Sequence, residues 1–161
     1  MPCSYSQIVL HSVWSTKYRN PFIDEGIEHE LHGIMIDAFA QNNCYVHEIG
    51  GTDDHIHVLH TLPRTKSIAD VLAAVKSISS GWLSGKGERY EWFEWQDGYG
   101  TFSVDYRYLD KIRRYVKNQR AHHAMNGPYK SFEEEYTAIL RTFGHEDFTP
   151  QYVFPAPPTH V

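Results

Sequence analysis

The stretch TDDHIHVLHTL, Thr52 to Leu62, sets His55 and His57 one residue apart inside an otherwise apolar run. In a β-strand, side chains at i and i+2 leave the same face. The two imidazoles therefore converge on one point while Ile56 and Val58 pack the other way. Two convergent neutral imidazoles make half a metal site. The same pattern suits two ordinary polar residues on the solvated face of an edge strand, and an HxH run by itself does not decide between the two. His60 is an odd step from His57 and is expected on the opposite face.

Cys44 to Gly50 reads as a second strand, joined to the first by the turn Gly50-Gly51-Thr52-Asp53-Asp54, so the pair forms a hairpin. Upstream, Tyr5 to Ser15 reads as a strand that ends at Arg19-Asn20-Pro21. Asp24 can cap a helix to about Asn42, with Ile27, Leu31, Ile34, Met35 and Ala38 on one face. Downstream, Ser67 and Asp70 open a second helix as a variant capping box, and a fourth strand follows near Gly100 to Val104. Asp105 can cap a third helix, and a further helix spans Ser131 to about Phe143. The order β-α-β-β-α-β is the split βαβ of an α+β, ferredoxin-like antiparallel sheet, with helices on one face and extra helices appended. Residues 1–147 are expected to form one domain. Residues 148–161 carry four prolines and are expected to be an extended tail. The first strand (QIVLHSVW), rich in β-branched and aromatic residues, reads as an exposed edge on which a second copy can pair.

Composition narrows the class. A chain of 161 residues fits one domain with a real core, and 41% apolar residues with 14% aromatics is globular. No apolar run approaches the ~18 residues of a membrane span, and the N-terminus lacks the pattern of a secretory signal. Cys3 and Cys44 are too few for a disulfide framework, which suits a reducing cytoplasm. The net charge of −5 argues against binding nucleic acid through bulk charge alone. Residues 105–120, however, hold six basic residues against two acidic ones. The basic set includes Lys111, Arg113, Arg114, Lys117 and Arg120, an electrostatic footprint for a phosphate backbone. On the same helix Tyr115 and Gln119 stand four apart, one turn from each other. They can offer a phenolic nucleophile and an oxygen ligand to one centre, or be a core-edge aromatic beside a solvated face.

The motifs DDHIHVLHTLP, SIADVLAAVKSISSGWL, WQDGYGTFSV and RRYVKNQRAHH, in this order, resemble the single-tyrosine HUH transposases of small bacterial and archaeal insertion sequences. The opening HSVWSTKYRNPFI is similar to that family's first strand and its exit. The similarity runs from about Tyr5 to Phe143. It implies that His55-Ile56-His57 is the HUH motif, that Tyr115 is the nucleophile, and that Gln119 is the third metal ligand. It further implies Mg²⁺ or Mn²⁺ as cofactor and single-stranded DNA with imperfect hairpins as substrate. A covalent 5′-phosphotyrosine and a homodimer, with the tyrosine serving the histidines of either chain, complete that expectation. REP-associated tyrosine transposases, a host-domesticated branch, share these motifs.

Other residues carry weaker signals. His122, three residues after Gln119, can reach substrate phosphate or the surroundings of the metal, whereas His123 lies round the helix. Asp54 abuts His55 and can orient it, although a turn aspartate needs no such reason. The aromatics Tyr90, Trp92, Phe93, Trp95, Tyr99 and Phe102 suit base stacking or the core. Two other classes of function compete. A metal-dependent hydrolase leaves Tyr115 idle, and a non-catalytic nucleic-acid-binding module leaves the convergent histidines unexplained.

Overall fold

The computed structural model describes residues 3–159. Four strands, β1 (Val9–Ser15), β2 (Val46–Gly51), β3 (His55–Thr61) and β4 (Gly100–Ser103), form one antiparallel sheet in the order β2-β3-β1-β4. Helices α1 (Glu25–Gln41) and α2 (Ile68–Ser84) connect them in the split βαβ pattern. The caps follow from the sequence. The Asp24 carboxylate accepts from the backbone N–H groups of Gly26 and Ile27, and the Ser67 hydroxyl accepts from that of Asp70.

Alternation along the strands divides the core in two. Trp14, Ile56 and Val58 point to one face, where they meet Leu31, Met35 and Phe39 of α1 and Val71, Leu72 and Val75 of α2. His11, Val13, His55, His57 and Leu59 leave the other face. That face is covered by the appended helices α3 (Leu109–Lys117) and α5 (Phe132–Thr142), through Val116 on one and Phe132, Tyr136 and Leu140 on the other. The sheet is therefore clothed on both sides.

Three expectations change. First, β1 is not an edge: it pairs with β3 along its whole length and with β4 along part of it. Its β-branched and aromatic residues answer burial on two faces, and the edges are β2 and β4. Second, the proline-rich end is not extended throughout. Pro150 opens a short helix, α6 (Pro150–Val153), and Phe148, Val153 and Phe154 pack against the Phe132–Tyr136 cluster. Arg19 holds the chain there by donating to the Pro155 carbonyl oxygen. Third, the long basic helix is segmented. Asp105 caps a 3-10 turn, Tyr106–Tyr108; α3 then runs to Lys117, and α4 (Gln119–His122) follows a break at Asn118, whose φ, ψ of −97°, 25° leave helical geometry.

Two glycines let the appended helices come down onto the sheet. A Cβ on Gly50 would collide with the Val116 carbonyl oxygen of α3, and one on Gly100 would collide with the Tyr136 hydroxyl of α5. At Gly50 strand and helix backbones approach too closely for any side chain, and at Gly100 the Tyr136 side chain fills the space a Cβ would take.

Candidate functional site

The hairpin turn positions the first histidine. The Thr52 hydroxyl donates to Asp54 Oδ1 (3.0 Å), and His55 Nδ1 lies 2.6 Å from the same oxygen. With Nδ1–H given to Asp54, Nε2 is presented into the space between sheet and helices. There it lies 3.2 Å from Gln119 Oε1 and 3.4 Å from Glu135 Oε1. The second histidine is set from β1. His11 Nε2 lies 2.8 Å from His57 Nδ1, and His57 Nε2 lies 2.8 Å from Glu135 Oε1.

The helices bring the remaining groups. Close packing of α3 at Gly50 carries Tyr115 and, past the break, Gln119 over β3. The Tyr115 hydroxyl donates to Glu135 Oε2, and its ring lies edge-on to His57 at 5.8 Å. His123 Nε2 reaches Glu135 Oε1 at 3.1 Å. His55, His57, Gln119 and Glu135 are all fully buried.

Burial and charge pull these groups apart electrostatically. Burial alone would lower the pKa of His55, but its hydrogen bonds to Asp54 and Glu135 outweigh it and raise the value to about 9. For His57, burial prevails over Glu135 and the pKa falls. Burial and the neighbouring His57 hold His11 neutral, at about 3. Glu135 is held far below the usual carboxylate range by His57 and its hydrogen-bonded imidazoles, despite its burial. The Tyr115 phenol is pushed up by burial and by the Glu135 carboxylate, so it is protonated in this state. Donor atoms of His55, His123 and Glu135 lie within 4.8 Å of one another, a cluster that can hold a metal ion.

The predicted residues fare unequally. His55, His57, Tyr115, Gln119 and Asp54 come together. His122 lies against the Tyr115 ring at 4.8 Å with its Nδ1 buried and unpaired, whereas His123, expected round the helix, points into the cluster. The break at Asn118 turns α4 and makes this difference. Lys111, Arg114 and Lys117 are exposed on α3, and Arg113 pairs with Glu48 at 3.5 Å. Arg120 turns inward instead, 3.1 Å from Glu28 and 2.9 Å from Asp53. Of the aromatics, Phe93, Trp95 and Phe102 are buried, while Trp92 is exposed. Glu135 and His11 were not anticipated. Glu135 falls on the buried stripe of α5, where only its place among Phe132, Tyr136 and Leu140 marks it. His11 shares a strand face with Val13, whose register partner is His57.

The model of the family described as Transposase IS200 like matches residues 4–119, most of the chain. The chain belongs to that family. Its relatives include the ISDra2 transposase TnpA of Deinococcus radiodurans, 25% identical over 118 residues that make up 70% of this chain and 84% of the relative. Among solved structures, a candidate transposase from Deinococcus radiodurans superposes with a TM-score of 0.59 at 22% identity, covering 74% of this chain and 95% of that one. A REP-associated tyrosine transposase bound to a REP hairpin superposes with a TM-score of 0.53 at 11% identity, covering 100% of this chain and 98% of that one. Both share the fold. The IS200-like segment ends at Gln119, so His123 and Glu135 lie beyond it. No helix among the described residues is long and apolar enough to cross a membrane.

Proposed function

We propose that this transposase cleaves and rejoins single-stranded DNA at hairpin-bearing ends, through a covalent 5′-phosphotyrosine on Tyr115 and with Mg²⁺ or Mn²⁺. One observation carries the reading: Tyr115 and His57 meet on the two oxygens of a single carboxylate, Glu135. The expected nucleophile and the expected metal donors thus lie one side chain apart. His55 Nε2, His57 Nε2 and Gln119 Oε1 would hold the ion, with Asp54 and His11 fixing the tautomers of the two imidazoles behind them. The 3.2 Å between His55 Nε2 and Gln119 Oε1 suits neighbouring donors on one ion bound at about 2.1 Å. Once bound, the ion supplies positive charge that offsets that of the scissile phosphate.

The Tyr115 oxygen attacks phosphorus; the new O–P bond forms as the bond to the 3′ oxygen breaks. The phenol's proton is lost and the departing 3′ oxygen gains one, so the step consumes no net proton. Because the phosphotyrosine retains the phosphodiester's energy, the 3′ hydroxyl can attack it in reverse and reseal the strand without ATP. A cleft of about 340 Å³, lined by Tyr115, His11, Tyr108, Lys111 and Phe143, opens beside the nucleophile and suits an entering strand. The exposed Lys111, Arg114 and Lys117 would track its backbone, with Arg113 at the margin.

Two ends to be cut call for two sites held together, and a homodimer supplies them. The phenol reaches Glu135 and His57 of its own chain, which favours the tyrosine acting in cis. A mixture of Tyr115→Phe and His57→Ala chains is then expected to stay inactive; cleavage by the mixture would establish the trans arrangement. A role in a REP-associated, domesticated setting is the second reading, favoured by the full-length fold shared with the REP-hairpin-bound transposase. Sequencing the DNA on either side of the gene separates the two, by element ends or by dispersed single hairpins.

Covalent capture tests the whole. Incubation with Mn²⁺ and a single-stranded oligonucleotide carrying the flanking hairpin should give a denaturation-resistant protein–DNA adduct, and Tyr115→Phe should give none. An undiminished adduct from that variant would overturn the assignment.

A further inference from the structure

Glu135 has no assigned task in the chemistry just described, yet it is the most constrained group in the site. Its carboxylate is fully buried, and a buried carboxylate is retained only where cations or strong donors surround it. Oε1 lies 2.8 Å from His57 Nε2, 3.1 Å from His123 Nε2 and 3.4 Å from His55 Nε2. Donors bound to one ion at about 2.1 Å stand roughly 3.0 Å apart along an octahedral edge and roughly 3.4 Å along a tetrahedral one. Around Oε1 the separations to His57 and His123 bracket the octahedral edge, and that to His55 matches the tetrahedral one. Oε2 faces the other way and accepts the Tyr115 hydroxyl.

Charge points in the same direction. His55, His57 and Gln119 are buried donors that carry no negative charge. A dication among them alone would bring its full charge into a medium of low dielectric, where an uncompensated ion is costly. One carboxylate halves that charge, and a hard oxygen ligand suits Mg²⁺ or Mn²⁺ better than imidazoles alone. Among the described residues, Glu135 is the fully buried acidic residue that reaches these donors.

We infer that Glu135 is a direct ligand of the divalent ion and, through its second oxygen, the positioning residue of Tyr115. His123 stands beside it as an accessory donor. The site of this chain is then completed by His123, which follows α4, and by Glu135 of α5, both beyond the residues matched by the IS200-like family. This inference rests on the metal-and-tyrosine reading above.

The experiment titrates Mn²⁺ into the full-length chain and follows the free ion by electron paramagnetic resonance. Glu135→Gln keeps the shape and one acceptor oxygen while removing the charge, so its affinity for Mn²⁺ should fall at least about tenfold, as should that of His57→Ala. In the unaltered chain labelled with ¹³C at glutamate carboxyl groups, electron–nuclear double resonance of bound Mn²⁺ should show ¹³C coupling. This second measurement needs no variant to fold. At saturating Mn²⁺ and DNA, Glu135→Ala should still slow single-turnover adduct formation, because the phenol has lost its acceptor.

Unchanged Mn²⁺ affinity in Glu135→Gln, or no ¹³C coupling, would remove Glu135 as a ligand. If His57→Ala still lost the ion, the metal reading itself would stand. Tighter Mn²⁺ binding and faster adduct formation in Glu135→Gln would mark the carboxylate as a plug and overturn the inference. A parent chain that binds no Mn²⁺ would overturn both.

Discussion

His57 and His60 leave the same strand three residues apart, and neither exposes any surface. Their surroundings are opposite. On one face His57 meets a carboxylate, two further imidazoles and a tyrosine. On the other, His60 lies against the Phe39 ring at 4.6 Å, gives Nδ1–H to the Thr61 carbonyl oxygen and takes the Ser12 hydroxyl at Nε2. Every polar atom of His60 is matched by a neutral partner, and burial lowers its pKa to about 4. Burial alone therefore does not mark a working histidine. What sets His57 apart is a carboxylate facing its imidazole, with a tyrosine hydroxyl on that carboxylate's far side.

Substitution breaks the pair most sharply. His57→Ala should reduce adduct formation at least about 100-fold if His57 is a donor of the proposed metal site. His60→Leu, on the opposite face, should keep the rate within roughly threefold, since additive effects are expected of sites that share no partner. Rate measurements on both, with folding checked by circular dichroism, decide it. Comparable losses from the two would mean that the sheet faces are not functionally distinct.

That contrast was partly legible. Alternation alone put His55 and His57 on one face and His60 on the other, and the spacing of Tyr115 and Gln119 put both on one helix turn. The split βαβ order was legible for the same reason, since periodicities of 2 and 3.6 are local. Contacts between distant elements were not. Glu135 reads as one acid in the run Glu133-Glu134-Glu135, and only the packing of α5 at Gly100 turns it inward. The inward turn of His123 depends on a break at Asn118 that no residue type announces. The interior place of β1 depends on two partners remote in the chain. Arg120 looked like its basic neighbours until Glu28 and Asp53 arrived from α1 and the hairpin turn.

Gly50 offers the next largest effect, because it sets the distance between the face that carries His55 and His57 and α3. Gly50→Ala would force Val116 and its helix away from β2. Overpacking of this kind costs about 1–3 kcal/mol, measurable as a lower urea midpoint. Since the displaced helix carries Tyr115 and Gln119, adduct formation should fall further than stability does. Gly33 lies on α1 with open space around its Cβ position. Gly33→Ala should stabilise the chain by up to about 1 kcal/mol and leave the rate alone. Equal effects of the two substitutions would contradict a steric role for Gly50.

Acid loads both faces in the same direction, and His60→Leu isolates the share of one of them. In the unfolded chain His60 titrates near 6.5, whereas burial holds it at about 4 in the fold. Between those values the unfolded chain takes up the proton first, so stability is fully present above about pH 6.5 and falls as pH drops toward 4. One group contributes about 1.4 kcal/mol per pH unit across that window, or about 3 kcal/mol in all. His32, lowered to about 4 by burial and by Arg120, adds in the same direction, as do His11, lowered to about 3, and His57 on the opposite face. Urea unfolding in chelator from pH 7 to 4.5 should show the decline, and His60→Leu should make it shallower. A slope unaltered by His60→Leu would assign the acid sensitivity elsewhere.

The smallest effect concerns the basic residues, which divide inward and outward as the histidines do. Arg120 is one-third exposed and is engaged by Glu28 and Asp53. Lys117 stands on the exposed side of α3. A partly exposed ion pair contributes about 0–1 kcal/mol after screening, so Arg120→Ala should lower stability by no more than that. Its effect on DNA should be smaller still, because the guanidinium is already committed to two carboxylates. Each phosphate contact to a single strand contributes about 0.7 to the slope of log affinity against log salt. Replacing Lys117 with alanine should reduce that slope by about one contact if the lysine tracks the backbone. Arg120→Ala should leave it unchanged, and fluorescence anisotropy of a labelled oligonucleotide at several salt concentrations reads both. If Arg120→Ala lowers the slope as much as Lys117→Ala does, then DNA displaces Glu28 and Asp53 from the arginine, and α4 rather than α3 carries the binding surface.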